Sequence, residues 1–164
     1  MSTLLCHTKN GFAVYVDLEG SHFTTHLAET PQLKDLVIEV LQNYEFTKEK
    51  IRFEANLGRA IGVSALVGTT SSDEIVYAKR PFRNTRIPFV KNREPAETNY
   101  VTIDLEKIDN KTCRLFTAYV GRITPPIPGE VDANDESIPF WNSHALCWGT
   151  EEIVPGTETA VRPW

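Results

Sequence analysis

The stretch YVTIDLEKIDNKTCRLFTAYV, residues 100–120, decides the fold. Apolar and polar side chains alternate over Tyr100–Leu105 and again over Cys113–Val120, which is the pattern of strands with one buried face. Asp109, Asn110 and Lys111 lie between the two segments and supply turn-forming residues. The stretch therefore predicts a β-hairpin.

Further strands are predicted on both sides of this hairpin. Phe12–Leu18 and Ile51–Leu57 alternate in the same way, and Glu74–Ala78 has the composition of a shorter strand. The chain has no alternating βαβ units, which argues against a doubly wound nucleotide-binding fold.

One segment has the spacing of a helix. Thr30 is typical of an N-cap, Pro31 suits the first helical position, and apolar residues recur at helical spacing from Leu33 to Tyr44. A helix followed by a run of strands is typical of the α+β class. The sequence therefore predicts one long N-terminal helix packed on a twisted antiparallel sheet of about four to six strands.

The chain changes character after residue 123. The segment TPPIPG, residues 124–129, holds three prolines that remove backbone donors, and Ser137–Trp148 is predicted to contain a short helical turn. The size of the chain predicts a single domain over residues 1–164. Its core would span about residues 11–122, and residues 123–164 would form a C-terminal extension rich in proline and aromatic residues.

Composition narrows the class of protein. The chain has a formal net charge of −5, which argues against a surface that binds DNA without specificity. The three cysteines have no metal-ligand spacing, and no dinucleotide, P-loop or zinc motif occurs, so neither a cofactor nor a metal is predicted. The opening residues lack the pattern of a signal peptide, and no apolar run has the length of a membrane span. A cytoplasmic location is expected.

A cationic loop is the most distinctive feature of the composition. Lys79–Arg93 contains six of the seventeen basic residues and no acidic one, which indicates an anionic partner or, alternatively, a solvated loop between strands. Phe82 and Phe89 offer faces for base stacking, although core packing is the commoner role of phenylalanine. The predicted substrate-binding residues are Lys79, Arg80, Arg83, Arg86 and Arg93.

The candidate catalytic residues are histidines and two residues of the second hairpin strand. Histidine is the usual proton donor or acceptor near neutral pH, although each histidine also has a structural interpretation. Thr117 and Tyr119 lie two apart on one strand and would position a phosphodiester or its attacking hydroxyl, unless they only favour the strand. The candidates are His22, His26, His144, Thr117 and Tyr119.

The middle of the chain resembles a known group of nucleases. DEIVYAKRPFRNTRIPFV (73–90), TNYVTIDLEK (98–107) and CRLFTAYVGR (113–122) are similar to segments of bacterial RNase toxins of the barnase, EndoU and colicin-like group. The resemblance covers about residues 30–122. The chain also resembles an uncharacterised bacterial protein family with the pattern GRITPP…FWNSHAL (121–146).

The resemblance implies a reaction. Metal-independent RNA cleavage would proceed by attack of the ribose 2′-hydroxyl on the adjacent phosphorus, with a histidine moving the proton. Arginine would stabilise charge on the phosphoryl oxygens. Arg83, Thr117 and Tyr119 would contact phosphate and ribose. In that group the catalytic histidine or glutamate stands on or beside the central sheet, whereas this chain has no histidine between His26 and His144.

The first functional hypothesis is accordingly an RNase-toxin-like domain, a possible endoribonuclease that binds or cleaves RNA through the cationic loop. A second hypothesis is a non-catalytic interaction module that docks an acidic protein partner with the same loop. A third is a small-molecule-binding protein whose pocket has a wall built from Pro125, Pro126, Trp141 and Trp148.

Overall fold

The computed structural model describes residues 2–164, in which 37% of the chain is strand and 14% is helix. Contacts divide the chain into two compact units. The first unit consists of residues up to 62 and residues 97–123, and the second unit of residues 63–96 and 124–164. That the whole chain is a single domain stays a prediction.

Eleven strands and three helices occur within residues 2–164, and several of the strands have only three residues. In chain order they are β1 (Ser2–His7), β2 (Ala13–Asp17), α1 (His22–Glu29), α2 (Leu33–Leu41), β3 (Lys50–Asn56), β4 (Gly62–Ser64), β5 (Leu66–Gly68), β6 (Ile75–Lys79), β7 (Arg86–Val90), β8 (Ala96–Thr98), β9 (Tyr100–Asp109), β10 (Thr112–Val120), α3 (Ser137–Asn142) and β11 (His144–Cys147).

The first unit is built on a five-stranded sheet in the order β1-β2-β10-β9-β3. The predicted hairpin is confirmed, because β9 and β10 pair antiparallel. Val101, Ile103 and Leu105 of β9 are fully buried in a core that α2 covers with Leu33 and Val37. Burial of this apolar face, with α2 as its cover, holds the sheet together.

The fold-class prediction is wrong in two respects. No long N-terminal helix exists in the described chain; its place is taken by α1 and α2, which are separate helices of eight and nine residues. Pro31 lies between them and cannot continue a hydrogen-bonded helix, and α1 ends where the Thr30 N–H donates to His26. The sheet is also not purely antiparallel, because β10 pairs parallel with β2. The described chain has three sheets, so it is at best a small α+β protein dominated by strands.

Helix α1 was not predicted because its residues have low helix propensity. Its residues HFTTHLAE include two threonines and two histidines, which are weak helix formers. What starts the helix is Ser21, whose hydroxyl accepts a hydrogen bond from the Thr24 N–H at 3.4 Å. Phe23, fully buried in the core, fixes its inner face.

The second unit contains a four-stranded sheet in the order β5-β11-β7-β6. Strands β6 and β7 form an antiparallel hairpin whose tip is residues 80–85. The cationic loop predicted over Lys79–Arg93 is therefore a loop only in part, because Arg86–Val90 is strand β7. Strand β11 pairs parallel with β7 and antiparallel with β5, so a segment of the predicted extension lies inside this sheet. The short helical turn expected near residue 140 is confirmed as α3. Trp141 of α3 is buried, and its indole N–H donates to the Pro125 carbonyl at 3.0 Å.

Strands β4 and β8 form a two-stranded sheet. Cys6, Cys113 and Cys147 are free and buried. None of the helices formed by residues 2–164 combines the length and apolar character that crossing a bilayer requires.

Candidate functional site

Three arginines of the cationic loop form ion pairs or hydrogen bonds with other residues of the second unit. Arg80 forms an ion pair with Glu151 at 3.2 Å, and Arg93 forms one with Asp73 at 3.3 Å. The Arg86 Nε donates to the Thr157 carbonyl at 2.7 Å. These three predicted substrate-binding side chains are therefore each committed to a different group of the protein.

Lys79 and Arg83 differ from those three. Among residues 2–164 neither side chain has a hydrogen bond or an acidic partner, and Arg83 is exposed. Next to Arg83, the Phe82 side chain is fully exposed and its φ of +63° is in the left-handed region, which is strained for a bulky residue. Phe89, in contrast, is completely buried. Of the two phenylalanines considered for base stacking, only Phe82 is free to stack.

Two predicted catalytic histidines lie together in the first unit. His22 and His26 are one turn apart on α1, with ring centroids 4.8 Å apart. The His26 ring lies 5.6 Å from that of Tyr119, and its Nδ1 is 3.5 Å from a carboxylate oxygen of Glu29. The structure thus brings three of the predicted catalytic residues, His22, His26 and Tyr119, into one cluster.

Thr117 and Tyr119 lie on the sheet face opposite the core. A β-bulge at Phe116 shifts the register of β10, so Thr117 stands opposite Asp104 and Tyr119 stands opposite Thr102. Burial raises the pKa of Tyr119, and the nearby Thr102 hydroxyl lowers it in part. Asp104 was not among the predicted site residues, because its only signal in the sequence is its place in the polar half of the alternation on β9.

His144 lies in the second unit, where α3 ends and β11 begins. Its ring stacks on Phe140 with centroids 3.9 Å apart. Its Nδ1 is 2.9 Å from the Phe140 carbonyl and 3.0 Å from the Ser143 hydroxyl. A protonated Nδ1 donates to the Phe140 carbonyl, whereas an unprotonated Nδ1 accepts from the Ser143 hydroxyl, so the tautomer decides which of the two bonds forms.

The same histidine lines a cavity of about 290 Å³ inside the second unit. Arg162 is a second polar residue in the lining of the cavity, and its Nε donates to the Tyr77 hydroxyl at 3.2 Å. None of the described lining residues is an Asp or Glu. The lining residues are Thr69, Thr70, Ser71, Ile75, Tyr77, Pro88, Trp141, Asn142, Ser143, His144 and Arg162.

Of the predicted pocket wall, Trp141 lines this cavity and Pro125, Pro126 and Trp148 do not. His144 was predicted as a catalytic residue and not as part of a wall. The lining comes from four separate segments of chain, so no local spacing could have indicated it. The segment that carries Arg162 is held by backbone pairing between Thr159 and Tyr77 and by the Trp164 indole, which donates to Asn142 at 2.8 Å. These contacts fix Arg162 beside the cavity.

Comparison with protein-family models, with curated proteins and with solved structures gave no match. Within residues 2–164, no group of three or more His, Cys, Asp or Glu side chains is placed to hold a metal ion.

Proposed function

We propose that the second unit binds a small anionic molecule in the cavity beside Arg162 and His144. The observation that carries the proposal is a guanidinium that lines a cavity without any carboxylate in its wall. Binding pockets are concave and contain a few polar groups that converge on the ligand, and this cavity has that form. The proposal follows the third hypothesis drawn from the sequence, that of a small-molecule-binding protein.

Arg162 is an exposed residue in a unit whose acidic residues outnumber its basic ones. The second unit contains seven basic and ten acidic residues, and most of its arginines have an acidic or carbonyl partner. Arg162 has no acidic partner within the described chain, and its single hydrogen bond leaves both terminal nitrogens of the guanidinium for a ligand. A guanidinium fork is well suited to a carboxylate or a phosphate.

The rest of the wall supplies weaker polar contacts and an apolar floor. Hydroxyl groups of Thr69, Ser71 and Ser143 can donate to anionic oxygens. His144 adds an imidazole ring to the wall, and its Nδ1 lies within hydrogen-bond distance of the Phe140 carbonyl and the Ser143 hydroxyl. Trp141 and Ile75 provide the apolar surface.

The volume limits the size of the ligand. A cavity of about 290 Å³ lies just below the usual range for ligand pockets, which is roughly 300–1,000 Å³. A small phosphorylated or carboxylated metabolite fits this volume, whereas a dinucleotide does not. We therefore propose a ligand with one principal anionic group.

Thermal unfolding of the full chain with a panel of inorganic phosphate, small sugar phosphates and dicarboxylates tests the proposal. A ligand that binds the folded state raises Tm, and Arg162→Gln should weaken that ligand by roughly ten- to a hundredfold because a charge-assisted hydrogen bond is lost. Arg83→Gln is the matched control, since it removes one charge from an exposed side chain of the same unit. Equal ligand affinity in both variants would overturn the proposal.

RNA binding at the tip of the cationic loop is a second candidate function, and Phe82 is the observation that favours it. The side chain is fully exposed on strained backbone, next to the unpaired guanidinium of Arg83. Strain of this kind persists at sites where the exposed group has a use, and an exposed ring beside a cation is suited to stacking on a base.

Fluorescence anisotropy with a single-stranded RNA and digestion of total RNA in EDTA test this second candidate. Phe82→Ala should weaken RNA binding by about fivefold or more if the ring stacks on a base, since one stacked base contributes on the order of 1–3 kcal/mol. Phe116→Ala, which removes another exposed ring, is the control. Binding of an acidic protein but not of RNA would instead support the interaction-module hypothesis.

The cytoplasmic location expected from the sequence remains part of the proposal. Three free, buried thiols are the pattern of a protein that matures in a reducing compartment. Cell fractionation with an antibody against the chain would test it, and recovery in an oxidising compartment would contradict it.

A further inference from the structure

Strand β6 is an edge strand that the segment 150–164, called the tail below, covers only in part. β6 ends the sheet order of the second unit, so no further strand of the described chain lies on its outer side. Thr159 of the tail exchanges two backbone hydrogen bonds with Tyr77, at 2.8 Å and 2.9 Å. The Val154 N–H donates to the Lys79 carbonyl at 2.8 Å. The tail thus lies where a fifth strand of this sheet would lie.

The tail is a poor strand, because it turns between these two contacts. The Thr157 N–H donates back to the Val154 carbonyl at 3.3 Å, and Gly156 between them has a φ of +83°. The Thr157 carbonyl accepts from the Arg86 Nε at 2.7 Å. The Lys79 N–H donates to the Thr157 hydroxyl at 3.0 Å, in place of the backbone carbonyl of a regular ladder. A chain without this turn could form more backbone hydrogen bonds with the same edge.

Positive charge borders this edge, and the tail meets part of it with an acidic residue. Arg80, which follows β6, forms an ion pair with Glu151 of the tail at 3.2 Å. Lys79 and Arg83 have no acidic partner among residues 2–164. The tail therefore neutralises only part of the positive charge beside the edge.

We infer that the β6 edge is a docking surface for an extended acidic peptide of another protein, and that the tail occupies it as an internal substitute. A strand that adds to a sheet edge gains affinity from backbone hydrogen bonds and specificity from the side chains beside the edge. Here the cations favour acidic residues, and the contact of Glu151 with Arg80 shows where one of them would lie. This inference develops the second hypothesis drawn from the sequence, that of an interaction module with an acidic partner.

The tail sets the apparent affinity of such a peptide. A peptide that pairs along β6 must displace the tail, so only the fraction of molecules with an open edge can bind it. Substitutions that loosen the tail should therefore strengthen peptide binding, although they remove contacts from the chain.

Fluorescence anisotropy of the full chain with labelled peptides tests the inference. The first peptide has the sequence of residues 150–160, and a straightened peptide carries Pro155→Val and Gly156→Thr in that sequence. The straightened peptide should bind about tenfold more tightly, because it can form an uninterrupted ladder. Glu151→Gln in the straightened peptide should weaken its binding about threefold, because the ion pair with Arg80 is lost.

Thr159→Pro in the chain opens the edge, because proline lacks the N–H that donates to the Tyr77 carbonyl. It should raise the affinity for the straightened peptide about tenfold. The Tyr77 amide should exchange faster in this variant and slow again when the peptide is added. Ala160→Pro is the matched control, since the Ala160 N–H has no hydrogen bond within the described chain, and it should leave the affinity within about twofold.

A second variant keeps the test independent of the folding of Thr159→Pro. Glu151→Gln in the chain loosens the tail without a change in the backbone, and it should raise the affinity for the straightened peptide about threefold. Three outcomes would overturn the inference. They are no binding of either peptide to any variant, equal affinity of the natural chain and the two loosened variants, and a dimer of Thr159→Pro in sedimentation, which would assign the edge to the tail of a second copy.

Discussion

The two units achieve their folded structures by different means. The first unit gathers seventeen buried residues into one cluster between a sheet and α2. The second unit has two small clusters, of five and four buried residues, and relies on directed contacts such as the indole of Trp141 on Pro125 and the pairing of Tyr77 with Thr159. Apolar burial thus contributes most of the stability of the first unit. In the second unit, hydrogen bonds made by irregular segments contribute a larger share of the stability.

The difference shows where each unit can hold a ligand. In the first unit one cluster of packed side chains fills the space between the sheet and α2. The second unit is assembled from loops and short strands around small clusters, and it contains an open cavity of about 290 Å³. Loops positioned by a scaffold are a common location for binding residues.

The largest loss of stability is expected from a substitution at the centre of the core of the first unit. Ile103→Ala should lower the free energy of unfolding of the first unit by about 2–5 kcal/mol, because the side chain is fully buried and leaves a cavity. Denaturant-dependent hydrogen exchange of the β9 amides measures it. Ile108→Ala, at an exposed position of the same strand, should change stability by no more than about 0.5 kcal/mol. Similar effects in the two variants would contradict the assignment of the core.

A smaller effect is expected where the second unit relies on directed contacts. Trp141→Phe removes the hydrogen bond to the Pro125 carbonyl and part of a buried ring. It should lower the free energy of unfolding by about 1–2 kcal/mol. Urea unfolding followed by far-UV circular dichroism measures it. Trp148→Phe is the control, since the Trp148 indole N–H has no hydrogen bond within the described chain. If Trp148→Phe proved the more costly, directed contacts would not explain this unit.

The smallest effect concerns pH and the edge of the first unit. Hydrogen bonding to Arg122 lowers the pKa of Glu54 in the folded chain. The ionised carboxylate therefore stabilises the fold above its unfolded pKa, and that contribution is lost as the pH falls through the folded pKa. The Glu54→Gln variant should be less stable than the natural chain at neutral pH. Its stability should also fall less steeply as the pH is lowered. Thermal unfolding across this pH range measures it. Glu45→Gln, at an exposed side chain, should keep the natural slope.

The hairpin of the first unit could be predicted because its pattern is local. Alternation over residues 100–105 gave β9 correctly, and the buried face of α2 followed from the spacing of its leucines and valines. The bulge at Phe116 could not be predicted, since one extra residue leaves no trace in composition. Strict alternation would have placed Thr117 and Tyr119 on the same face as Leu115, whereas the shift turns them to the polar face.

The second unit was harder to predict because its order is set by distant partners. Strand β11 has only four residues, and it is held between β5 and β7, which are more than fifty residues earlier in the chain. The cationic loop was conspicuous in the sequence, yet the acids that pair with Arg80 and Arg93 are on other segments. Tertiary pairing of this kind cannot be read from local composition.

The buried cysteines have a practical consequence. Burial raises the pKa of all three thiols, that of Cys113 to about 11, so they remain protonated at physiological pH and the reactive thiolate is scarce. Alkylating reagents should therefore leave the folded natural chain unmodified. A single exposed substitution such as Arg83→Cys would accept a maleimide fluorophore at one defined position, which gives a probe beside Phe82 without removal of any native cysteine.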